Sequence, residues 1–428
     1  MIKRLFMVFL GVLLGGCTGL AANLQLVSLF LMPPLPALAT LPPAPSPTST
    51  PAVLHARLPD TPSTPEVEIL PPTATSAPSP TASATPYPSP TPYLYIQGPF
   101  YFPADVNPLT GLPAEDPGLL SRRPIAIKVT NFPRSVRPQW GLSLADHVYE
   151  YYIGDDMSRF IGIFYSQDAI RVGPIRSARL FDGHIVRLYE ANFAFGWADD
   201  PILETLLLPD LLPRLIVEHA DNCPPLCRIG PKYAYNNLYI DTGQVAAYQQ
   251  ARGANNDRQA LDGLRFEAAT PKSGNPGKSL SLAYSLVSYH RWEYDPYAGR
   301  YLRFQETGAR LGGEASYAPL SDALTGAQLA ADNIIILKIP HEYFYKSSST
   351  EIIDQPIVGE GSGYAFRDGQ LYPIQWARSD AQAMLKFTLP NQRPYPLKPG
   401  NVWFEILGES STLNLLPDGS WDFEFSIP

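Results

Sequence analysis

Arg176-Ser177-Ala178-Arg179 stands where the turn Gly173-Pro174 gives way to a segment with helical apolar spacing. A helix start exposes backbone N–H groups that have no partner inside the helix. A serine and two arginines at such a place make an anion site, since both the guanidinium fork and the helix dipole favour negative charge. Further polar residues flank neighbouring extended segments: Asn131 and Arg137 after one, Asp146 and Glu150 on a second, Arg159 opening a third. Asp146 and Glu150 are four apart, a spacing that puts both on one face of a strand. The expectation is one cleft holding Asn131, Arg137, Asp146, Glu150, Arg159, Arg176, Ser177 and Arg179, closed by Arg228 and Asn237. The competing expectation is that these arginines simply pair with Asp146, Glu150, Asp155 and Asp156 at the surface.

Other catalytic signatures are missing. The six histidines never fall at metal-ligand spacing, and His341-Glu342 has no second histidine four residues on. Ser362 in Gly359-Glu-Gly-Ser-Gly363 has Glu360 two positions before it, so this run reads as a glycine-rich turn rather than a nucleophile elbow. No phosphate loop or dinucleotide fingerprint occurs. The expectation is a protein without metal or cofactor, leaning away from catalysis. With 32 basic against 40 acidic residues, net charge −8 and no basic run, a nucleic-acid partner is not expected either.

Cys17 follows Leu14-Gly15-Gly16, which comes after Lys3, Arg4 and an apolar run. That pattern is a bacterial lipoprotein signal, cut before a cysteine whose thiol is acylated. The mature chain would then work outside the cytoplasm, tethered to the cell membrane by lipid. Two alternatives keep the same side of the membrane: residues 5–32 as one uncleaved anchor helix, or cleavage after Ala37-Leu38-Ala39. The remaining cysteines, Cys223 and Cys227, lie four apart in a proline-bearing loop of an exported chain and read as a local disulfide.

Between Pro33 and Pro103 lie 21 of the 47 prolines, mixed with Ser, Thr and Ala. Such a segment buries too little apolar surface to offset chain entropy. At about 3.1 Å per residue it reaches on the order of 200 Å, so residues 18–103 read as a stalk beyond the signal peptide 1–17. The rest is expected to be α+β: an N-terminal α/β-type domain at 104–250 with a mixed sheet, a linker at 251–278, and a β-rich domain at 279–428. Strands are expected at 125–130, 147–152 and 160–165, helices at 178–192 (capped by Ser177) and 202–212, and a central strand at 333–339. Tyr284, Tyr289, Trp292, Tyr294, Tyr297 and Tyr301 either stack on sugars of a wall glycan or pack strands together.

Asn131 through Asp146, Val148-Tyr-Glu150, Arg159-Phe160 and Gly173-Pro-Ile-Arg-Ser-Ala-Arg179 closely resemble the YerB-like lipoproteins of bacterial envelopes, a family of unknown function. Asn107-Pro-Leu-Thr-Gly111, Ala331-Asp-Asn333, Gly361-Ser-Gly-Tyr-Ala-Phe366 and Lys398-Pro-Gly-Asn-Val-Trp403 extend the likeness over about 105–408. It implies a lipoprotein with two domains and no established reaction. Asn236 stands where that family has a histidine, and Gly196-Trp-Ala-Asp-Asp-Pro201 replaces its glycine-rich turn, so a catalytic histidine at 236 is excluded. The reading for function is a membrane-tethered extracytoplasmic protein that binds an anionic or polar envelope ligand. The alternatives are a scaffold and an enzyme acting on a pyrophosphate-bearing precursor. The latter rests on a fainter likeness to the LytR-CpsA-Psr glycopolymer transferases, with Asp146 holding Mg²⁺.

Overall fold

The computed structural model describes residues 96–428, apart from Ala220, Asp221, Lys232, Tyr233, Leu311, Gly313, Ser348, Ser349 and Pro428. Cys17 and the stalk therefore lie outside the described residues, except for the last few residues of the latter. The α+β class holds: short helices pack on a mixed sheet, and a second sheet follows. No helix among the described residues is long and apolar enough to cross a membrane.

The first half supplies β1 (Ile125–Thr130), β2 (His147–Tyr152), β3 (Ser158–Phe164), β4 (Asn192–Phe195) and β5 (Leu215–Val217). The helices are α1 (Leu180–Leu188), α2 (Asp200–Leu206) and α3 (Val245–Ala251), and a ribbon pairs β6 (Leu226–Arg228) with β7 (Leu238–Ile240). The second half supplies β8 (Asn275–Pro276), β9 (Ser279–Ala283), β10 (Tyr289–Asp295), β11 (Arg300–Glu306), β12 (Tyr317–Pro319), β13 (Ala330–Ala331) and β14 (Asn333–Ile339). A ribbon of β15 (Glu342–Lys346), exposed throughout, and β16 (Glu351–Asp354), which buries Ile352 and Ile353, follows. Then come β17 (Gly359–Arg367), β18 (Gln370–Arg378), β19 (Lys386–Thr388), β20 (Val402–Gly408), β21 (Thr412–Leu415) and β22 (Trp421–Glu424).

The two halves do not form two separate sheets. The main sheet runs β19-β18-β17-β14-β20-β2-β3-β1-β4-β5, so β20 lies between β14 and β2 and pairs in parallel with both. The second sheet runs β12-β11-β10-β9-β22-β21. The expected linker is also packed: Leu261, Leu264 and Phe266 are buried, and Phe266 bridges to Gln97 and Leu397.

Strand alternation sorts the core into two layers. Tyr149, Tyr151, Ile161, Ile335, Phe404 and Ile406 face α1 and α2. Val148, Phe160, Ile334, Ile336 and Trp403 face the second sheet, where Leu280, Leu282, Trp292 and Phe423 meet them. Both faces are covered, which is why β2, β3 and β20 are buried along their whole length.

Some local expectations shift. α1 begins at Leu180 rather than 178, because Arg179 is extended and Ser177 lies three residues before the first helical position. The Asp182 carboxylate, not Ser177, accepts the Arg179 N–H at 2.7 Å. Glu190 takes a positive φ of 49° two residues after the helix ends. Pro209 follows α2, which stops at Leu206. The glycine run at 359–363 is not a turn but the first half of β17. A Cβ on Gly361 would lie 2.6 Å from Trp376 Nε1, so glycine lets that indole lie against the strand. Of the six aromatics weighed for sugar stacking, Tyr284, Tyr289, Trp292 and Tyr301 are buried and only Tyr297 is fully exposed. Strand packing is what they do.

Candidate functional site

The ten residues expected in one cleft form two groups on opposite faces of the main sheet, and Asp146 belongs to neither. The reason is the period of two in a strand. Glu150 sits opposite Phe160, while Arg159 sits opposite Tyr151 and Thr130. Glu150 therefore points to the second sheet and Arg159 to the helical layer.

Asp146 precedes β2 and is fully enclosed. It accepts hydrogen bonds from Asn107 Nδ2 (2.8 Å), from the backbone N–H of Tyr165 (2.6 Å) and Ser166 (3.0 Å), and from the Ser166 hydroxyl. Burial pushes its carboxyl up, with these donors opposing. It ties the Asn107 turn to the end of β3 and does not face the arginines, so it is not placed to hold a metal ion beside them.

On the helical face stands an arginine cluster. Arg159 is 8% exposed and donates to Ser177 O at 2.7 Å. Burial first, then the charges of Arg179 and Arg176, pull its pKa down to about 9. Arg176 is lowered by burial, then by Arg179. It reaches the Tyr235 carbonyl at 3.4 Å, its guanidinium carbon is 5.9 Å from the Tyr235 ring centre, and its Nε is buried without a partner among the described residues. Arg179 donates to Ala178 O at 2.8 Å. The carboxylates nearby are already engaged. Asp182 pairs with the buried Lys128 at 3.1 Å and accepts from the Tyr151 hydroxyl, and Glu218 holds Arg228 through two contacts. Burial lowers Lys128 to about 7, with Asp182 opposing. Among the described residues, Arg159, Arg176 and Arg179 form no ion pair. They repel one another and are held together by the fold, an arrangement an anion would relieve. The surface-pairing expectation fails for these three.

Arg228 and Asn237 do not close the cluster with free groups. Arg228 donates to Asn237 Oδ1 at 2.7 Å and to Ala234 O at 2.8 Å, while Asn237 Nδ2 donates to Pro231 O at 2.6 Å. They shape the loop that carries Tyr235, and the Cys223–Cys227 disulfide closes the ribbon before it. Arg228 is near enough for its charge to lower Arg176 further. Asn236 Oδ1, at the position of the family histidine, is buried without a partner among the described residues. Trp197 and Tyr235 are exposed, at 52% and 81%, on the segments that hydrogen-bond to the backbone or side chain of Arg176 and Ala178.

On the other face, sequence reasoning missed a buried charge cluster. Glu150 and Glu405 are direct register partners on β2 and β20. Arg303 of β11 reaches both, at 2.5 Å and 3.4 Å, and its guanidinium packs against Trp403, Trp292 and Phe160 at 4.8–5.3 Å from their ring centres. His290 Nε2 lies 2.8 Å from Glu405, and Trp292 Nε1 donates to the same carboxylate at 3.1 Å. Glu150 also accepts from Ser158 (2.6 Å) and Asn131 (3.2 Å). Burial raises Glu405 to about 7, opposed by Arg303, and lowers His290 to about 3. Glu150, His290 and Glu405 offer ligand atoms within 4.8 Å of one another, but the Arg303 guanidinium already supplies their positive charge. One signal was available: Glu405 is the lone charge in the apolar run Val402–Leu407, and a buried carboxylate needs a cation.

Arg137 leads outward from this cluster. It donates to Asn131 Oδ1 at 3.1 Å and grips Glu306 of β11 through both nitrogens of its fork. Burial pushes the Glu306 carboxyl up, with Arg137 opposing.

Comparison with known proteins places this geometry. The model described as "Protein of unknown function (DUF3048) N-terminal domain" matches residues 109–255, and its C-terminal counterpart matches 280–404. The YerB protein of Bacillus subtilis (strain 168), named as a lipoprotein, is 26% identical over 322 residues, covering 73% of this chain and 86% of its own. A crystal structure of YerB from Bacillus subtilis superposes with a TM-score of 0.60 at 23% identity, over 71% of this chain and 96% of that one.

Proposed function

This chain belongs to the DUF3048 family, and from that premise we propose that it is a membrane-tethered extracytoplasmic lipoprotein that binds an anionic envelope ligand at Arg159, Arg176 and Arg179. The lipid tether is supported by the Leu-Gly-Gly-Cys17 pattern and by the lipoprotein name of its Bacillus relative. Binding is supported by one observation above all: three guanidinium groups converge with no ion pair of their own among the described residues, in a protein of net charge −8. The exposed rings of Trp197 and Tyr235 offer apolar area beside the charge. The transferase alternative loses its metal ligand, since Asp146 is enclosed elsewhere.

The test is calorimetric titration with inorganic pyrophosphate at low salt, on the wild type and on R176A/R179A. Each lost charge-assisted contact is worth about 1.5–3 kcal/mol, so the double variant binds at least tenfold more weakly. Equal affinity in both proteins, or no binding of pyrophosphate, removes this reading.

A further inference from the structure

A cavity of about 460 Å³ opens at the seam between the two matched halves, away from the arginine cluster. Small-molecule sites range over roughly 300–1,000 Å³. One wall comes from the segment after β1, with Arg134, Arg137 and Pro138. The opposite wall comes from the end of β11 and the residues after β12, with Gln305, Glu306 and Leu320.

The charge on these walls does not cancel. Glu306 is 2% exposed, and its single carboxylate is already gripped by both nitrogens of the Arg137 fork. Arg134 is a second cation, with Nε 3.8 Å from Glu306 Oε1 and Nη2 donating to Val287 O at 2.8 Å. Its side chain is about one-third exposed, and its Nη1 makes no hydrogen bond among the described residues. The Phe132 ring lies 5.6 Å from the Arg134 guanidinium and 4.9 Å from that of Arg137, so both cations are braced. Gln305 is committed twice: its amide donates to Tyr289 O at 3.1 Å and its Oε1 accepts from Arg303. The floor is thus fixed to the buried charge cluster, and one guanidinium charge is left facing the cavity.

We propose that this seam cavity binds a small monocarboxylate, its carboxylate on Arg134 and its apolar body against Pro138 and Leu320. A planar guanidinium matches a carboxylate in geometry and charge. A phosphate dianion fits less well, because its second charge would face Glu306 with no cation left to meet it. The rest of the lining is mostly apolar, with Pro138, Ala318, Pro319 and Leu320 beside the hydroxyls of Thr307 and Ser321.

The experiment is calorimetric titration of the full-length protein in detergent with N-acetylvaline, its neutral primary amide, and inorganic phosphate. In R176A/R179A, where the pyrophosphate site is removed, N-acetylvaline binds saturably, while the amide and phosphate each bind at least tenfold more weakly. R134M lowers the affinity for N-acetylvaline at least tenfold, and R134K, which keeps the charge but not the fork, lowers it severalfold. R176A/R179A leaves it unchanged, so failure here is separable from failure of the pyrophosphate site. Absence of saturable binding, equal binding of the amide, tighter binding of phosphate, or indifference to both Arg134 variants overturns the proposal.

Discussion

Glu150 and Arg159 are separated by the thickness of the sheet that carries them. Their strands are paired, but Glu150 faces Phe160 across the ladder and Arg159 faces Tyr151. The carboxylate is consequently matched by Arg303 from the second sheet, and Arg159 is left among other arginines. One cluster of unpaired arginines and one buried charge cluster follow from a single-residue difference in register.

Removing Arg303 tests the core cluster. In R303M, Glu150 and Glu405 remain buried side by side without their cation. Breaking a buried pair in this way costs about 3–5 kcal/mol. Urea unfolding should show that loss, and E150Q/R303M/E405Q should recover at least half of it. An R303M midpoint equal to wild type would mean the cluster carries no net charge in the folded protein.

The pH dependence has two opposing parts. His147, His290 and His341 are pushed down to about 4, 3 and 4 by burial, so the stability they give is complete above 6.5 and lost as pH falls towards their folded values. Glu405 is raised to about 7, so its contribution is complete below the ordinary carboxyl range and lost as pH rises to 7, amounting to about 3 kcal/mol. E405Q removes the Glu405 contribution and leaves those of the other raised carboxyls, Asp146 and Glu306. Its gain in stability between pH 5 and 7 should exceed that of wild type, and parallel curves would contradict the assignment.

Cys223 and Cys227 close a ring of few residues. The loop-entropy relation gives about 2 kcal/mol for a ring of this size. Intact mass under non-reducing conditions should show two hydrogens missing, and C223S/C227S should unfold with a loss of that order. Two free thiols in the exported protein would contradict the pairing.

Cys17 is the expected lipid carrier. C17S should accumulate as uncleaved precursor and take up no lipid label, while the wild type takes label and partitions with membranes. A wild type that partitions without label would indicate an uncleaved anchor instead.

Much of the local structure was legible. β1 and β2 coincide with the expected segments because β-branched and aromatic runs bounded by proline or turn residues leave little choice. The Asp368-Gly369 turn was readable for the same reason, and both residues take the positive φ that a two-residue hairpin requires. Arg176 and Arg179 lie close enough to Arg159 for their charges to act on it, as their positions beside neighbouring strand ends suggest. What could not be read was which strands become neighbours across long separations. Nothing local to Glu150 announces Arg303, and nothing local to Arg137 announces Glu306. Asp146 lies elsewhere than expected because its donors come from two distant segments, the Asn107 turn and Tyr165-Ser166 at the end of β3.

The position of β20 bears on the order in which the fold can be completed. A chain that appears N-terminus first presents β1, β2 and β3 long before the strand that must lie beside β2. Until residues 402–408 are present, the β2 edge has no partner strand on that side. A chain interrupted before β20 therefore leaves an unpaired, apolar edge on β2, the kind of edge that favours aggregation.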